Sequence, residues 1–228
     1  MYKSFYTEVE VSAEVLRKIG FYKPKGSLDH TAIMFLLLAE EKHGQTKEHC
    51  ERVALLAEVV AKKMHRNSLS AFYGGLLHDF GKVLLPAELF DDHEYVGRKG
   101  KAEYKMAMTH AFLGFHLLKK IHPFTAFCAG FHHNLCSNGY GACKEDIPKD
   151  WSLSKVKSML EIATIISICD FSDAFTTRHS KVKDRSLEPG LDLKTSLHKK
   201  YPEDGDIVEI VLKVMKNMFA ATPKYNLN

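Results

Sequence analysis

The chain lacks most of the features that mark secreted, membrane-embedded or nucleic-acid-coating proteins. Its 228 residues include only five cysteines, an odd number without paired or metal-type spacing, so no disulfide framework organises it. Charge of one sign is scarce: 32 Lys+Arg against 28 Asp+Glu leave a formal +4. That balance permits a phosphate-bearing ligand and does not call for a nucleic acid polymer as partner. Long apolar runs are missing too. The longest, Ala32 to Ala39, is about half of what a bilayer crossing needs, so no membrane partner is expected. The amino terminus does not show the basic, apolar, then small-residue order of a secretory signal. Cys50, Cys128 and Cys169 sit inside apolar patterns and read as reduced thiols, which leads to the expectation of a cytoplasmic protein.

What is present is a globular composition with one excess. At 45% hydrophobic and 26% charged, the chain has ample apolar surface to bury and is not disordered. One large domain is expected, with residues 1–44 as an extension, 45–220 as the domain and 221–228 as a tail. The excess is histidine, 13 residues against 14 glycines.

Helical periodicity dominates, and the fold class reads as all-α. Apolar positions repeat at three and four residues from Val53 to Met64, from Met106 to Leu117, from Phe124 to Phe131 and from Ile162 to Cys169. Pro123 suits the first turn of the third of these. A fifth stripe, Ile207 to Met218, is preceded by Asp206 with Glu209 three residues on, the pattern of an N-cap box. Residues 1–27 show an alternation (Phe5, Thr7, Val9, Val11) compatible with a short strand, then a short helix from Ser12 to Gly20. Residues 134–152 and 181–205 read as long loops, a length that in compact domains often serves function.

Several histidines fall on these apolar stripes rather than on the wet faces. His49 lies four before Val53, His110 four after Met106, and His132 four after Cys128. One buried histidine is ordinary core chemistry. Three helices each aiming one inward point to a metal site of the kind that helical bundles build from facing side chains. The adjacent pair His78-Asp79 adds a ligand and a carboxylate able to bridge two cations, and Gly81 is expected to end the helix there. His132-His133 forms a second pair. Asp170 is a carboxylate on an otherwise apolar helix, where an unpartnered charge costs several kcal/mol.

The order His49, His78-Asp79, His110, His132-His133, Asp170 resembles the HD superfamily of metal-dependent phosphohydrolases, and more narrowly its HD-GYP branch. The matching text is Thr46-Lys47-Glu48-His49-Cys50-Glu51-Arg52-Val53, then His78-Asp79-Phe80-Gly81-Lys82, His110 with Gly114, His132-His133, Gly139-Tyr140, and Asp170 with Asp173-Ala174. The resemblance implies an HD-domain helical bundle with a metal cluster in its core. It implies two transition-metal ions, iron or manganese foremost, with zinc or nickel as alternatives. His49, His78, Asp79 and Asp170 would hold one ion; His110, His132 and His133 would hold the other, with Asp79 bridging. Asp79 and Lys82 would carry catalysis, and Lys82, Tyr140, Arg178 and Lys181 would meet the substrate. The implied activity is hydrolysis of a cyclic dinucleotide such as cyclic di-GMP by a two-metal activated water. Two alternatives stay open: a nucleotide phosphohydrolase acting on a mononucleotide, and a catalytically silent domain binding a nucleotide or a protein. A homodimer built through residues 1–44 is a further expectation.

The chain departs from that branch in several places: the segment from His133 to Gly139 is shorter, the stretch on to Asp170 is longer, a gap follows Asp173, and three positions differ in residue type. Gly141 stands where the branch has proline, Asn134 where a glutamate commonly follows the double histidine, and Gln45 where three-metal members have a glutamate. Gln45 is a poor ligand, which favours two ions over three.

Overall fold

The computed structural model describes residues 8–24, 26–90, 97–135, 139–178 and 192–220. Among these the architecture is all-α, with nine α-helices and no strand. They are α1 (Glu8–Tyr22), α2 (Leu28–Lys42), α3 (Gly44–Lys63), α4 (Ser68–Leu77), α5 (Gly97–Leu118), α6 (Pro123–Gly130), α7 (Leu153–Arg178), α8 (Leu193–Lys200) and α9 (Gly205–Ala220). No helix among the described residues is long and apolar enough to cross a membrane.

Two helices form the axis of the bundle. Helix α3 is buried at almost every position from His49 to Ala61, because α1, α2, α4, α7 and α9 pack around it. Helix α7 is likewise buried at every residue from Ile162 to Cys169, which is why a β-branched run that could read as a strand is helical: all its faces are covered. Three of the other helices start where capping chemistry dictates. Asn67 caps α4 by accepting from the Ser70 amide at 2.9 Å. His122 caps α6, with Pro123 in its first turn. Asp192 caps α8 by accepting from the Thr195 amide at 2.8 Å.

Several expectations shift. Val9 and Val11 belong to helix α1, with Val11 buried and Val9 exposed. Phe5 and Thr7 lie outside the described residues. Helix α1 packs on α3 and buries Val11, Val15 and Ile19 in the core, each four residues from the next, as one helical face requires. Helix α9 begins at Gly205, so Asp206 sits inside its first turn and does not act as the N-cap; Glu209 pairs with Lys194 and His198 of α8 instead. The buried stripe of α5 is Ala107, His110, Ala111, Gly114, Phe115 and Leu118, whereas Met106 and Leu117 are exposed. The neighbouring phase won because the small residues Ala107, Ala111 and Gly114 allow the close approach this contact needs. The expected loops contain a 3-10 turn at Lys144–Asp146 and helix α8.

Candidate metal centre

Five segments deliver the imidazoles and carboxylates to one buried point. His49 comes from α3 and Asp170 from α7, while His78 and Asp79 follow the end of α4. His110 comes from α5, and His132 and His133 follow α6. Helix α4 stops at Leu77 rather than at Gly81, and residues 80–84 form a 3-10 turn. Relaxing the helix at His78 lets the neighbouring His78 and Asp79 side chains converge. Gly81 has a different role from helix ending. A Cβ there would stand 1.9 Å from the His110 carbonyl oxygen, so only glycine lets the Asp79 turn press against α5.

The orientation of the rings decides the chemistry. His78 Nδ1 donates to the Gly75 carbonyl at 2.7 Å. His110 Nδ1 donates to the Ala107 carbonyl at 2.6 Å, and His132 Nδ1 to the Ala129 carbonyl. Each carbonyl lies three residues before its histidine, on the same helical turn. His49 does the same with a side chain, its Nδ1 lying 2.8 Å from Asp173 Oδ2. With Nδ1 so engaged, each ring turns Nε2 inward as the candidate ligand atom, that of His49 against Asp170. Asp173 is held in turn by Arg52, whose Nε and Nη2 donate to its two oxygens at 2.8 and 3.0 Å.

Around Asp79 the inward atoms are close. His110 Nε2 lies 3.1 Å from Asp79 Oδ1, and His78 Nε2 lies 3.3 Å from Oδ2. His49 Nε2 is 3.8 Å from Asp79 Oδ2 and 3.0 Å from Asp170 Oδ1. Three overlapping sets have ligand atoms within 4.8 Å of one another: Asp79-His110-His132-His133, His49-His78-Asp79, and His78-His132-Asp170. Buried atoms without a hydrogen-bond partner include Nε2 of His78, His110 and His132, and Oδ1 of Asp79. Several buried acceptors pointing at one another are unfavourable unless a cation sits among them. The donor set of imidazoles and carboxylates, without thiolate, fits a first-row transition ion.

Electrostatics follow the same geometry. Burial pushes His132 down to about 3, with the His78 charge adding to the effect. Burial likewise holds His133 well below the ordinary histidine range. Burial opposes charge on His78, but the Asp79 carboxylate and Cys50 together outweigh it and raise His78. Against its own desolvation, Asp79 is held far below the usual carboxylate range by Lys82 and His78. Asp170 is lowered in the same way by His49 and His78.

The HD domain model matches residues 46–174, more than half of the chain. The chain belongs to the HD domain family. Two crystal structures of the HD domain of the L. monocytogenes phosphodiesterase PgpH share this fold. One is 20% identical with a TM-score of 0.51 and covers 82% of this chain and 96% of that one. The other, in complex with cyclic-di-AMP, is 18% identical with a TM-score of 0.52 and covers 82% and 95%. Among curated proteins no match is found.

In this HD domain all seven ligand-type residues expected from the sequence meet at the cluster. Lys82 is buried, its Nζ 2.5 Å from Asp79 Oδ2 and 5.3 Å from the centre of the Phe90 ring. Tyr140 stacks on the His133 imidazole, with ring centres 4.4 Å apart. Arg178 is the last residue of α7, its side chain outside the described residues, as is all of Lys181. Asp173 and Arg52, which orient His49, were part of the matching text but carried no expected role. The signal for them was spacing: His49 and Arg52 are three apart on α3 and face Asp170 and Asp173, three apart on α7. Phe90, which also meets the His110 ring edge-on at 6.2 Å, had no such signal.

The loop departures have physical causes. Gly141 adopts φ +110°, and a Cβ there would lie 2.4 Å from the Gly130 carbonyl oxygen. Proline, locked near φ −65°, cannot occupy this conformation. Asn134 donates to the Ala142 carbonyl at 2.5 Å, so it pins the loop against α6 and is not spare for a ligand.

Proposed function

We propose that this HD domain is a metal-dependent phosphodiesterase that hydrolyses a cyclic dinucleotide. The observation that carries this reading is the convergence of several Nε2 atoms, Nδ1 already satisfied, on the oxygens of one buried aspartate. His49, His78, Asp79 and Asp170 would hold one cation, and His110, His132 and His133 would hold a second, with the Asp79 carboxylate within reach of both. Iron or manganese suits these donors best. Such ions, when bound, acidify a water nucleophile and neutralise charge on the phosphodiester oxygens.

The protein's own residues do the rest. Asp173 and Arg52 fix the His49 ring so that its Nε2 need not reorganise on binding. Lys82 places an ammonium beside Asp79, where it meets a non-bridging phosphate oxygen of the substrate. Phe90 walls one side of that lysine and keeps it from bulk water. Tyr140 braces His133 by stacking. The cyclic-dinucleotide class is supported by the fold shared with an HD domain that binds cyclic-di-AMP, and by the HD-GYP-like text around His78 and Gly139. Cyclic di-GMP and cyclic di-AMP are the two substrates to compare.

The test is turnover by protein loaded with iron or manganese, followed chromatographically on both cyclic dinucleotides and on mononucleotides. Linear dinucleotide product, lost on Lys82→Ala by about 10²-fold or more, is expected. Turnover of mononucleotides alone, or of nothing by fully loaded protein, would overturn the reading.

A further inference from the structure

We propose that the outer face of α2 is a self-association surface on which a second copy of this chain docks antiparallel, about a two-fold axis between Met34 and Leu37. Helix α2 is apolar on both sides. Its inner face, Leu28, Ala32, Phe35, Leu36 and Ala39, is buried in the core. Its outer face presents Ile33, Met34, Leu37 and Leu38, which are 39%, 54%, 53% and 48% exposed. Four large apolar side chains side by side on one helix make a patch of the kind that marks an interaction site.

The charges around the patch choose the partner. His30, Met34, Leu37 and Glu41 are spaced four, three and four residues apart, so they form one line along the helix. An isologous contact maps each residue i of one copy onto a partner j of the other and j onto i. A two-fold axis at the middle of this line pairs Met34 with Leu37 and Ile33 with Leu38. The same operation sets His30 at one end against Glu41 at the other, twice. The result is an apolar centre flanked by two imidazole–carboxylate hydrogen-bonding pairs, in which the face complements itself. Of the neighbouring charges, Glu40 pairs with Lys47 at 2.9 Å and Lys42 donates to the Val83 carbonyl at 2.9 Å; Asp29 takes only Nδ1 of His30, at 2.9 Å, which leaves the other ring nitrogen for Glu41 of the second copy. One helix face buries less than the roughly 800 Å² per partner of a standard interface, so the association is a concentration-dependent equilibrium rather than a permanent dimer.

The experiment is sedimentation velocity on the full chain over a range of concentrations, with circular dichroism as the control for folding. The wild type is expected to shift from monomer to dimer. Leu37→Glu, at an exposed position repeated twice in the interface, raises the half-association concentration at least ~10-fold. Glu41→Lys weakens association, and the double variant His30→Glu with Glu41→Lys restores it, because the swap regenerates both pairs in reversed order. A monomer at every concentration, or a dimer that Leu37→Glu leaves intact, would overturn the proposal. Association sensitive to Leu37 but indifferent to the charge swap would overturn the antiparallel register.

Discussion

Two buried polar clusters in this protein solve the same problem in opposite ways. Where α1 lies on α3, Glu58 is closed off: Lys18 reaches it at 2.6 Å and the Tyr22 hydroxyl donates to it at 2.5 Å. Where α3, α4, α5, α6 and α7 meet, the imidazoles use Nδ1 for the protein and leave Nε2 of His78, His110 and His132 without hydrogen-bond partners. The first cluster is neutralised by the Lys18 ammonium and fastens a helix, although Glu58 Oε2 itself has no hydrogen bond. The second gathers several such imidazole atoms at one point, which a metal ion would complete, and that convergence distinguishes a ligand site from a structural one.

The contrast can be broken from the open side first. Asp79→Ala removes the oxygens shared by both ligand sets and is expected to cut phosphodiesterase turnover at least ~10³-fold, the several kcal/mol that cationic charge stabilisation supplies. Next comes the orienting shell. Asp173→Asn, which no longer holds His49 Nδ1 with a carboxylate, should weaken metal affinity about 10–100-fold in a chelator competition while the fold persists.

The closed side should respond in stability and not in metal. Glu58→Ala leaves Lys18 without its buried partner and should cost about 2–3 kcal/mol in denaturant unfolding, with metal content unchanged.

The last contrast is in pH, where the clusters diverge in direction. His132 sits near 3 in the folded protein and near the ordinary 6.5 once unfolded, so the unfolded chain takes up the proton first. The metal-free protein therefore keeps this contribution above about pH 6.5 and loses it as pH falls toward 3. His133 acts in the same sense, and His78, raised by Asp79, offsets part of it. Tyr22 is the reverse case, pushed up to about 12 by burial and by its hydrogen bond to Glu58. Its contribution is present below about pH 10 and lost as pH rises through 12. Thermal melts across pH should show both limbs, with Tyr22→Phe flattening the alkaline one alone.

Much of the open cluster was legible in the sequence because its residues stand on the buried faces of helices or just beyond their ends. The helical class followed from apolar spacing in the same way. Less legible was whatever depends on how helices approach one another. The phase of α5 was set by Ala107, Ala111 and Gly114 rather than by its larger apolar residues. Gly81 read as a helix end and is a contact with the His110 backbone. Asp173 and Arg52 escaped because an orienting pair has no composition of its own; it appears only when α3 and α7 face each other. The loop at residues 139–141 differed from the branch pattern in sequence, and Gly141 at φ +110° supplies the reason that proline is absent.

The most direct measurement is metal content, on protein made in iron- and manganese-supplemented cells and purified without oxygen or chelators. Close to two transition-metal ions per chain, lost together in Asp79→Ala while the Glu58→Ala variant keeps both, is the predicted result. A folded protein that holds no metal even after reconstitution would contradict it, because the inward Nε2 atoms would then serve no cation at all.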